Sequence, residues 1–445
     1  MFDVSVSRRS LLKTSLAMGG ACAIAANAAQ GARQAKADDA VTINLWHSMS
    51  GTNLEALQAI VSGFNDSQSD YVVVEANQGT YDESTGKFFN MSGGDDAPAI
   101  IQIGEQNLQS MIDSAKVKAA SDLIDTYDFD ASDLIEQAVN FYTVDGKMWA
   151  MPFNCSTPVV YYNAKMFQDA GVDEFPTTFE GLKDAADKVA AANAGVKPVG
   201  MFAYGYALDQ MVTNMGGYVL NNENGRAERA TEVAYQEQIT TVYNWVADLI
   251  AADELTNFGT SRSDTNAAFT QQQIAMYIDT SAIARSVIDN AVDFEVGVAY
   301  LPISEGGERQ GVYAGGGALC TADGLSEQQE RGVMAFYQYA TSAEVQATWA
   351  GATGYYPISQ AAYETQTMKD IYTEMPQLEV SAQQLKDSQV NGITAGPLCS
   401  QLPQLRTDLQ SALENVFNGG DVASSIEEAV ASTNSAIEIA NMGVA

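Results

Sequence analysis

Few side chains in this sequence could carry out covalent or metal chemistry. His47 is the single histidine, and the four cysteines, Cys22, Cys155, Cys320 and Cys399, form no CxxC pair. A zinc site of the usual kind needs several histidine or cysteine ligands, and a cysteine nucleophile needs a base beside it. We therefore expect no metal, no cofactor and no catalytic residue, and hence a binding protein rather than an enzyme.

The charge of the chain argues against several classes of partner. It has 22 basic and 56 acidic residues, which give a formal net charge of −34. A surface this acidic repels nucleic acid and anionic membranes. Any anionic ligand therefore needs a pocket that is locally positive.

Residues 1–37 have the features of a Tat-type export signal. Arg8 and Arg9 precede a mildly apolar stretch rich in alanine and glycine. A twin-arginine signal directs the export of a folded protein, and cleavage after residue 37 or residue 28 would remove it. Lipid anchoring at Cys22 stays open as an alternative. Because no stretch of about 18 apolar residues follows residue 40, we expect an exported periplasmic or cell-surface protein.

The rest of the chain alternates between strand and helix patterns. Strands are predicted at 41–46, 71–75 and 99–104, and an apolar face predicts a helix at 53–65. This order is typical of a parallel sheet flanked by helices. A second block has strands predicted at 159–162, 274–278 and 294–301, and helices at 179–192, 232–250, 328–339, 344–350, 409–417 and 422–439. A chain of 445 residues exceeds what one core organises, so we expect an α/β protein with two lobes.

Six short phrases, in order along the chain, resemble a known family. They are residues 45–49 (LWHSM), 97–105 (APAIIQIGE), 152–163 (PFNCSTPVVYYN), 315–317 (GGG), 353–358 (TGYYPI) and 403–406 (PQLR). Together they resemble the family 1 extracellular solute-binding proteins of ABC importers, and within that family the members that bind glycerol phosphates.

The resemblance implies a periplasmic-binding-protein type of fold, with two α/β lobes joined by three crossings and a hinge that closes on the ligand. We expect residues 38–153 with 314–372 to form the first lobe, and residues 154–313 with 373–445 to form the second. The implied partners are a small phosphorylated ligand and the membrane permease of the importer. We expect no nucleic-acid partner and a monomer.

The resemblance also implies a set of ligand-binding residues. They are Tyr81, Glu105, Ser156, Thr280, Gly316, Tyr355 and Arg406. A guanidinium can bond two phosphate oxygens, and hydroxyl groups can donate to the others. Because Glu105 would repel phosphate, we expect it at the opposite end of the ligand from Arg406, accepting hydrogen bonds from glycerol hydroxyls.

One segment departs from the family pattern. Residues 202–207 contain Tyr204 and Tyr206 where the family has tryptophans. Smaller rings leave more space, and cations such as choline bind over aromatic faces. We therefore add these tyrosines to the site, and glycerophosphocholine to glycerol 3-phosphate as a candidate ligand.

Three other functions remain open at this point. An oligosaccharide would use the same fold without an arginine aimed at phosphate, so Arg406 distinguishes the two cargoes. A secreted phosphodiester hydrolase would need clustered metal ligands or a histidine base, which the sequence lacks. An inert surface protein would need no pocket.

Overall fold

The structure, a computed structural model, describes residues 40–91, 94 and 97–443. The predicted export signal, including Cys22, lies outside these residues. The strands are β1 Val41–His47, β2 Tyr71–Asn77, β3 Ile100–Gly104, β4 Val117–Lys118, β5 Thr143–Val144, β6 Lys147–Met148, β7 Met151–Ser156, β8 Pro158–Asn163, β9 Lys197–Met201, β10 Leu255–Asn257, β11 Ile274–Thr280, β12 Val296–Ala299 and β13 Gly315–Ala322.

The α-helices are α1 Gly51–Ser67, α2 Tyr81–Asn90, α3 Leu108–Asp113, α4 Ala120–Tyr127, α5 Glu136–Tyr142, α6 Ala164–Asp169, α7 Phe179–Ala192, α8 Gly205–Asn214, α9 Gln236–Ala251, α10 Arg262–Thr270, α11 Ala284–Asn290, α12 Glu327–Ala340, α13 Ala343–Thr353, α14 Gln366–Glu374, α15 Gln377–Lys386, α16 Leu402–Phe417 and α17 Val422–Met442. Short 3₁₀ turns lie at Glu105–Asn107, Ser281–Ile283 and Ala361–Glu364, and Asn221–Gly225 is a left-handed turn.

The first sheet organises one lobe. Its strand order is β2-β1-β3-β13-β4, and β7 also pairs with β13. The predicted parallel pairing is confirmed for β1 with β2 and with β3. Strand β13, which was not predicted, is antiparallel to β3, β4 and β7 because the chain returns to this sheet from the other lobe. In β1 the side chains of Ile43 and Leu45 are fully buried, and α1 and α12 pack on this lobe.

The second sheet organises the other lobe. Its strand order is β10-β9-β11-β8-β12. Strands β9, β10 and β11 are parallel, whereas β8 runs antiparallel to both β11 and β12. Helices α7, α8 and α10 pack on this sheet, α16 packs against α8 and α9, and α17 packs against α9 and α16. The two-lobed α/β fold expected from the sequence is therefore confirmed.

The chain passes between the sheets at three places. A single residue, Thr157, separates β7 from β8. The second passage joins β12 of the second sheet to β13 of the first. The third joins α14 to α15: α14 packs on α13, and α15 packs on β12. Thr157 is fully buried, and its carbonyl accepts a hydrogen bond from the Ser281 N–H at 2.8 Å. These passages form the hinge region between the lobes.

The predicted lobe boundaries can be placed on these elements. The boundary between 153 and 154 falls within β7, which stays in the first sheet as far as Ser156. The boundary between 313 and 314 lies just before β13, and that between 372 and 373 lies in the last turn of α14. The division itself stays a prediction. No helix among the described residues is both long and apolar enough to span a membrane.

Candidate functional site

A cavity of about 440 Å³ lies between the two lobes. Its walls come from the ends of strands in both sheets, including the residues that follow β3 and those that end β7 and β11. This is where α/β proteins bind ligands. All nine residues predicted from the sequence lie in its wall: Tyr81, Glu105, Ser156, Tyr204, Tyr206, Thr280, Gly316, Tyr355 and Arg406. Their roles toward a ligand stay predictions.

A hydrogen-bond relay positions Tyr81 in the first lobe. The Ser48 N–H donates to Gln102 Oε1, and Gln102 Nε2 donates to Asn154 Oδ1, each at 2.9 Å. Asn154 Nδ2 then donates to the Tyr81 hydroxyl at 2.9 Å. The Tyr81 hydroxyl is also hydrogen-bonded to the Tyr355 side chain. Burial raises the pKa of Tyr81 well above its ordinary value, so the proton is retained.

Tyr355 is held against the same wall by stacked rings. Helix α13 ends at Gly354, whose φ is 113°, and the chain turns directly into Tyr355. The ring stacks on Trp349 with centroids 5.4 Å apart and an interplanar angle of 3°. Trp349 in turn stacks on Phe153. Burial raises the pKa of Tyr355, so this residue also presents a hydroxyl and not a phenolate.

Glycine is required at 316. Its φ is +92°, and a Cβ there would collide with the carbonyl oxygen of Asn154. It lies in β13 beside a register shift between Gly317 and Ala318, opposite the end of β7 that carries Ser156. The backbone of β13 can therefore approach the cavity closely at this point.

Arg406 is the centre of a buried ionic network. It projects from the first turns of α16, and its Nε donates to Asp209 Oδ2 at 2.7 Å. Its Nη1 lies 2.7 Å from Glu105 Oε1, and its Nη2 donates to the Tyr313 hydroxyl at 3.0 Å. The Tyr313 hydroxyl donates to the second oxygen of Asp209 at 2.6 Å. A guanidinium has five N–H donors, so two remain after these contacts.

The charges in this network are strongly coupled. The side chains of Glu105 and Asp209 are 3% and 0% exposed. Burial raises the pKa of both carboxyl groups, and the charge of Arg406 opposes that rise. Burial alone would lower the pKa of Arg406, but the charges of Asp209 and Glu105 raise it well above its ordinary value. Arg406 is therefore a permanent cation.

The predicted separation of Arg406 and Glu105 is wrong. The two side chains form an ion pair across the cleft instead of lying at opposite ends of the cavity. Glu105 comes from the first lobe and Arg406 from the second, so the pair links the lobes. The physical reason is that a buried carboxylate without a cation beside it costs several kcal/mol, and the guanidinium of Arg406 removes this cost for both Glu105 and Asp209. One oxygen of Glu105 contacts Arg406 and leaves the other for a ligand hydroxyl.

The ring of Tyr206 packs against the guanidinium of Arg406. The Arg406 Cζ lies 5.2 Å from the centre of the Tyr206 ring. The Tyr206 hydroxyl donates to the carbonyl oxygen of Ser156 at 3.0 Å, so its proton is already committed. Gly205, which begins α8, allows the close approach because a Cβ there would collide with the Arg406 side chain and backbone.

Thr280 ends β11 and also caps the turn that follows. Its hydroxyl oxygen accepts a hydrogen bond from the Ala282 N–H at 3.2 Å, which leaves the hydroxyl proton for another acceptor. The Thr280 N–H donates to Asp279 Oδ1 at 2.7 Å. A threonine here therefore supplies the hydroxyl expected from the family pattern.

A second cation lies in the cavity wall that was not predicted from the sequence. Arg262, the first residue of α10, lies in the wall, and its Nε donates to Asp279 Oδ1 at 3.0 Å. Its Cζ lies 4.6 Å from the centre of the Tyr204 ring. Burial raises the pKa of Tyr204 to about 12, an effect that Arg262 opposes. The wall of the cavity thus carries two cations, Arg262 and Arg406, and one anion, Glu105.

The other wall residues that the sequence did not single out are Ser48, Met49, Ser50, Asn53, Gln106, Ala282, Ile283 and Gln410. Ser48 and Met49 belong to the first of the six phrases, so a signal for them existed. The described residues contain no group of three or more histidine, cysteine, aspartate or glutamate side chains placed to hold a metal ion.

Comparison with known proteins decides the family. The model of the bacterial extracellular solute-binding protein family matches residues 59–379, which is most of the chain. This chain is a bacterial extracellular solute-binding protein. The family resemblance inferred from the six phrases is therefore confirmed.

Two relatives of this solute-binding protein are named sn-glycerol-3-phosphate-binding periplasmic protein UgpB. That of Rhizobium meliloti is 30% identical over 91% of this chain and 96% of its own. That of Brucella melitensis is 29% identical over 89% of this chain and 93% of its own. These relatives match nearly the whole of the described chain.

Solved structures show the same fold. UgpB from Mycobacterium tuberculosis, in complex with glycerophosphocholine, has a TM-score of 0.77 at 19% identity and covers 90% of this chain and 99% of its own. The GacH receptor of Streptomyces glaucescens was solved unliganded and with acarbose. It has a TM-score of 0.71 at 22% identity and covers 89% of this chain and 97% of its own. This solute-binding protein is accordingly a transport component and not an enzyme.

Proposed function

We propose that this substrate-binding component of an ABC importer binds glycerol 3-phosphate, or a closely related glycerol phosphate, in the cavity between its lobes. The observation that carries the proposal is the pair of guanidinium groups, Arg262 and Arg406, in one wall of that cavity. Buried carboxylates pair with both guanidinium groups and hold them in place. In a chain with a net charge of −34, these two fixed cations supply the charged N–H donors that an anionic ligand needs. The relatives named for sn-glycerol-3-phosphate binding support the same ligand class.

The hydroxyl groups in the wall complete a phosphate site. The Thr280 hydroxyl oxygen already accepts a hydrogen bond from the Ala282 N–H, so its proton can be donated to a phosphate oxygen. The Tyr81 hydroxyl, oriented by Asn154, would exchange its hydrogen bond with Tyr355 for one to the phosphate. Hydrogen bonds to an ionised acceptor are stronger than those between neutral groups. The free oxygen of Glu105 would accept from the glycerol hydroxyls. The ligand would thus contact residues of both lobes at once.

Of the two candidate ligands, glycerol 3-phosphate fits this wall better than glycerophosphocholine. The choline hypothesis relies on Tyr204 and Tyr206 as cation-binding rings. Each ring already has a guanidinium near it, at 4.6 Å and 5.2 Å respectively. A quaternary ammonium at the same rings would face like charge. The glycerophosphodiester therefore stays the second candidate.

Ligand binding would act by shifting the equilibrium between lobe positions. A ligand that contacts both lobes binds the closed form better than the open form, and so increases the closed population. The permease of the importer then receives the closed, loaded protein. The export signal predicted at 1–37 and the periplasmic relatives support a location outside the cytoplasmic membrane.

Calorimetry and thermal unfolding of the purified protein test this proposal. The ligands are glycerol 3-phosphate, glycerophosphocholine, inorganic phosphate and maltose. A ligand at about 100 times its dissociation constant adds roughly 2.7 kcal/mol to the free energy of unfolding. We expect stabilisation by glycerol 3-phosphate, weaker stabilisation by glycerophosphocholine, and none by maltose. Binding of maltose alone would favour an oligosaccharide cargo, and no binding of either glycerol phosphate would refute the proposal.

A further inference from the structure

Arg262 occupies a position that local helix energetics disfavour. It is the first residue of α10, directly after the N-cap Ser261. The N-terminus of a helix carries partial positive charge, so a cation there is unfavourable. Asp264 in the same turn relieves this only in part. A residue type that is unfavourable for its own helix is a candidate for a role in the binding site.

The structure holds Arg262 firmly. Asp279, which accepts its Nε hydrogen bond, is fully buried in β11. The same Asp279 oxygen accepts the N–H of Thr280, so one carboxylate positions both the guanidinium and a hydroxyl of the cavity. The Arg262 side chain is 38% exposed, and its terminal nitrogens, Nη1 and Nη2, are not used by Asp279.

The surroundings of Arg262 keep it charged. Burial would lower its pKa, but Tyr204 and Asp279 outweigh this effect and raise the pKa. The guanidinium lies 4.6 Å from the centre of the Tyr204 ring and 5.6 Å from that of Phe202, and these two rings stack on each other. It therefore fills the part of the aromatic wall where a choline group would have to bind.

We propose that Arg262 is a second phosphate-binding residue, and that it selects a phosphate monoester over a phosphodiester that carries a cationic head group. This inference rests on the proposed function and adds the residue that determines ligand choice. A monoester offers three terminal oxygens and close to two negative charges to the two guanidinium groups. A choline diester offers two terminal oxygens and one negative charge, and it brings a cation to a ring that already has one.

The test is the ratio of two dissociation constants, for glycerol 3-phosphate and glycerophosphocholine, measured by calorimetry on wild type and on Arg262→Gln. A hydrogen bond to a charged group contributes an amount that corresponds to roughly 10- to 100-fold in affinity. We expect Arg262→Gln to weaken binding of the monoester by that factor and to weaken binding of the diester less, or to strengthen it. Arg262→Lys, which keeps the charge, should retain part of the preference.

Arg331→Gln is the matched control. Arg331 also pairs with a carboxylate, Glu327, and lies 5.0 Å from the centre of a tyrosine ring, but it does not line the cavity. The Arg331→Gln substitution should leave both dissociation constants unchanged. If the unpaired Asp279 prevents folding of Arg262→Gln, the double variant Arg262→Gln/Asp279→Asn removes the ion pair as a unit.

The outcomes separate the two proposals. If the wild type binds neither glycerol phosphate, the proposed function fails. If it binds glycerol 3-phosphate and the Arg262 variants keep the same ratio of dissociation constants, the function stands and the inference about Arg262 is overturned. An equal loss for both ligands also overturns it, because selection requires unequal losses.

Discussion

Replacing Arg406 by methionine tests whether this residue holds the buried ionic network together. Methionine fills much of the same space without charge. The change leaves Glu105 and Asp209, both almost completely buried, with no cation in contact. It also removes the donor to the Tyr313 hydroxyl. We therefore expect a large loss of stability that does not depend on any ligand.

The magnitude follows from the burial of the two carboxylates. Removing one partner of a buried ion pair costs about 3–5 kcal/mol. Unfolding entropy of roughly 2.1 cal/mol/K per residue over roughly 400 residues converts this into a fall in Tm of about 4–6 °C. Arg331→Met is the control, because Arg331 and Glu327 are 53% and 72% exposed. An exposed pair within one helix contributes little to stability because solvent and salt screen it.

The assay is thermal unfolding of both variants and the wild type between pH 5 and pH 8. Without Arg406, the largest effect that opposes burial is lost, so the pKa of both carboxyl groups rises further above the values in the unfolded chain. The folded variant then takes up protons that the unfolded chain releases, and its stability increases as the pH falls. The difference from wild type should therefore be largest at pH 8 and smaller at pH 5.

A triple variant completes this test. Adding Glu105→Gln and Asp209→Asn to Arg406→Met removes the stranded charges and should recover much of the lost stability. A loss below about 1 kcal/mol at pH 8 for Arg406→Met alone would refute the reasoning. So would a triple variant that is no more stable than the single one.

Three further predictions concern single positions. Tyr81→Phe removes the hydroxyl that Asn154 orients, and should weaken binding of glycerol 3-phosphate roughly 3- to 10-fold by calorimetry; unchanged affinity would exclude Tyr81 from the site. Gly316→Ala should lower the free energy of unfolding by about 1–3 kcal/mol, because of the positive φ and the collision at 316; an unchanged denaturation midpoint would contradict this. Cys155 and Cys320 are buried with pKa values raised to about 12, so neither should react with iodoacetamide at pH 8 until the protein unfolds, as read by peptide mass mapping; labelling of the native protein at either thiol would contradict their burial.

The helices and strands predicted from an amphipathic or alternating pattern are all present in the structure, together with others that were not predicted. The helix predicted at 179–192 has those bounds as α7, and the strand predicted at 41–46 is β1 with one residue more. Helix α8 was not predicted, because every one of its residues is buried and no polar face marks a period. Strand β13 was not predicted either, since its three glycines suggested a turn rather than the middle of a sheet.

The site was predictable in part. Five of the nine predicted residues lie within the six phrases, the other four come from further comparison with the family pattern, and the cavity brings all nine together. The ion pair between Glu105 and Arg406 was not predictable, because it depends on how the two lobes approach each other. Arg262 belongs to none of the six phrases, and its helix has only a weak apolar face. A cation at a helix N-terminus in so acidic a chain was the one signal that could have pointed to it.

The position of Thr157 has a consequence for the order in which contacts form. Ser156 and Gly316 lie beside passages of the chain between the lobes, and both belong to strands of the first sheet. Rotation of the lobes about an axis through these passages would leave the distance between Ser156 and Gly316 almost unchanged. The same rotation would change the separation of Glu105 and Arg406, which come from separate lobes. A ligand can therefore dock first near the axis and be enclosed afterwards. Substitutions near the axis should act mainly on the association rate constant, and substitutions of the closing pair on the residence time.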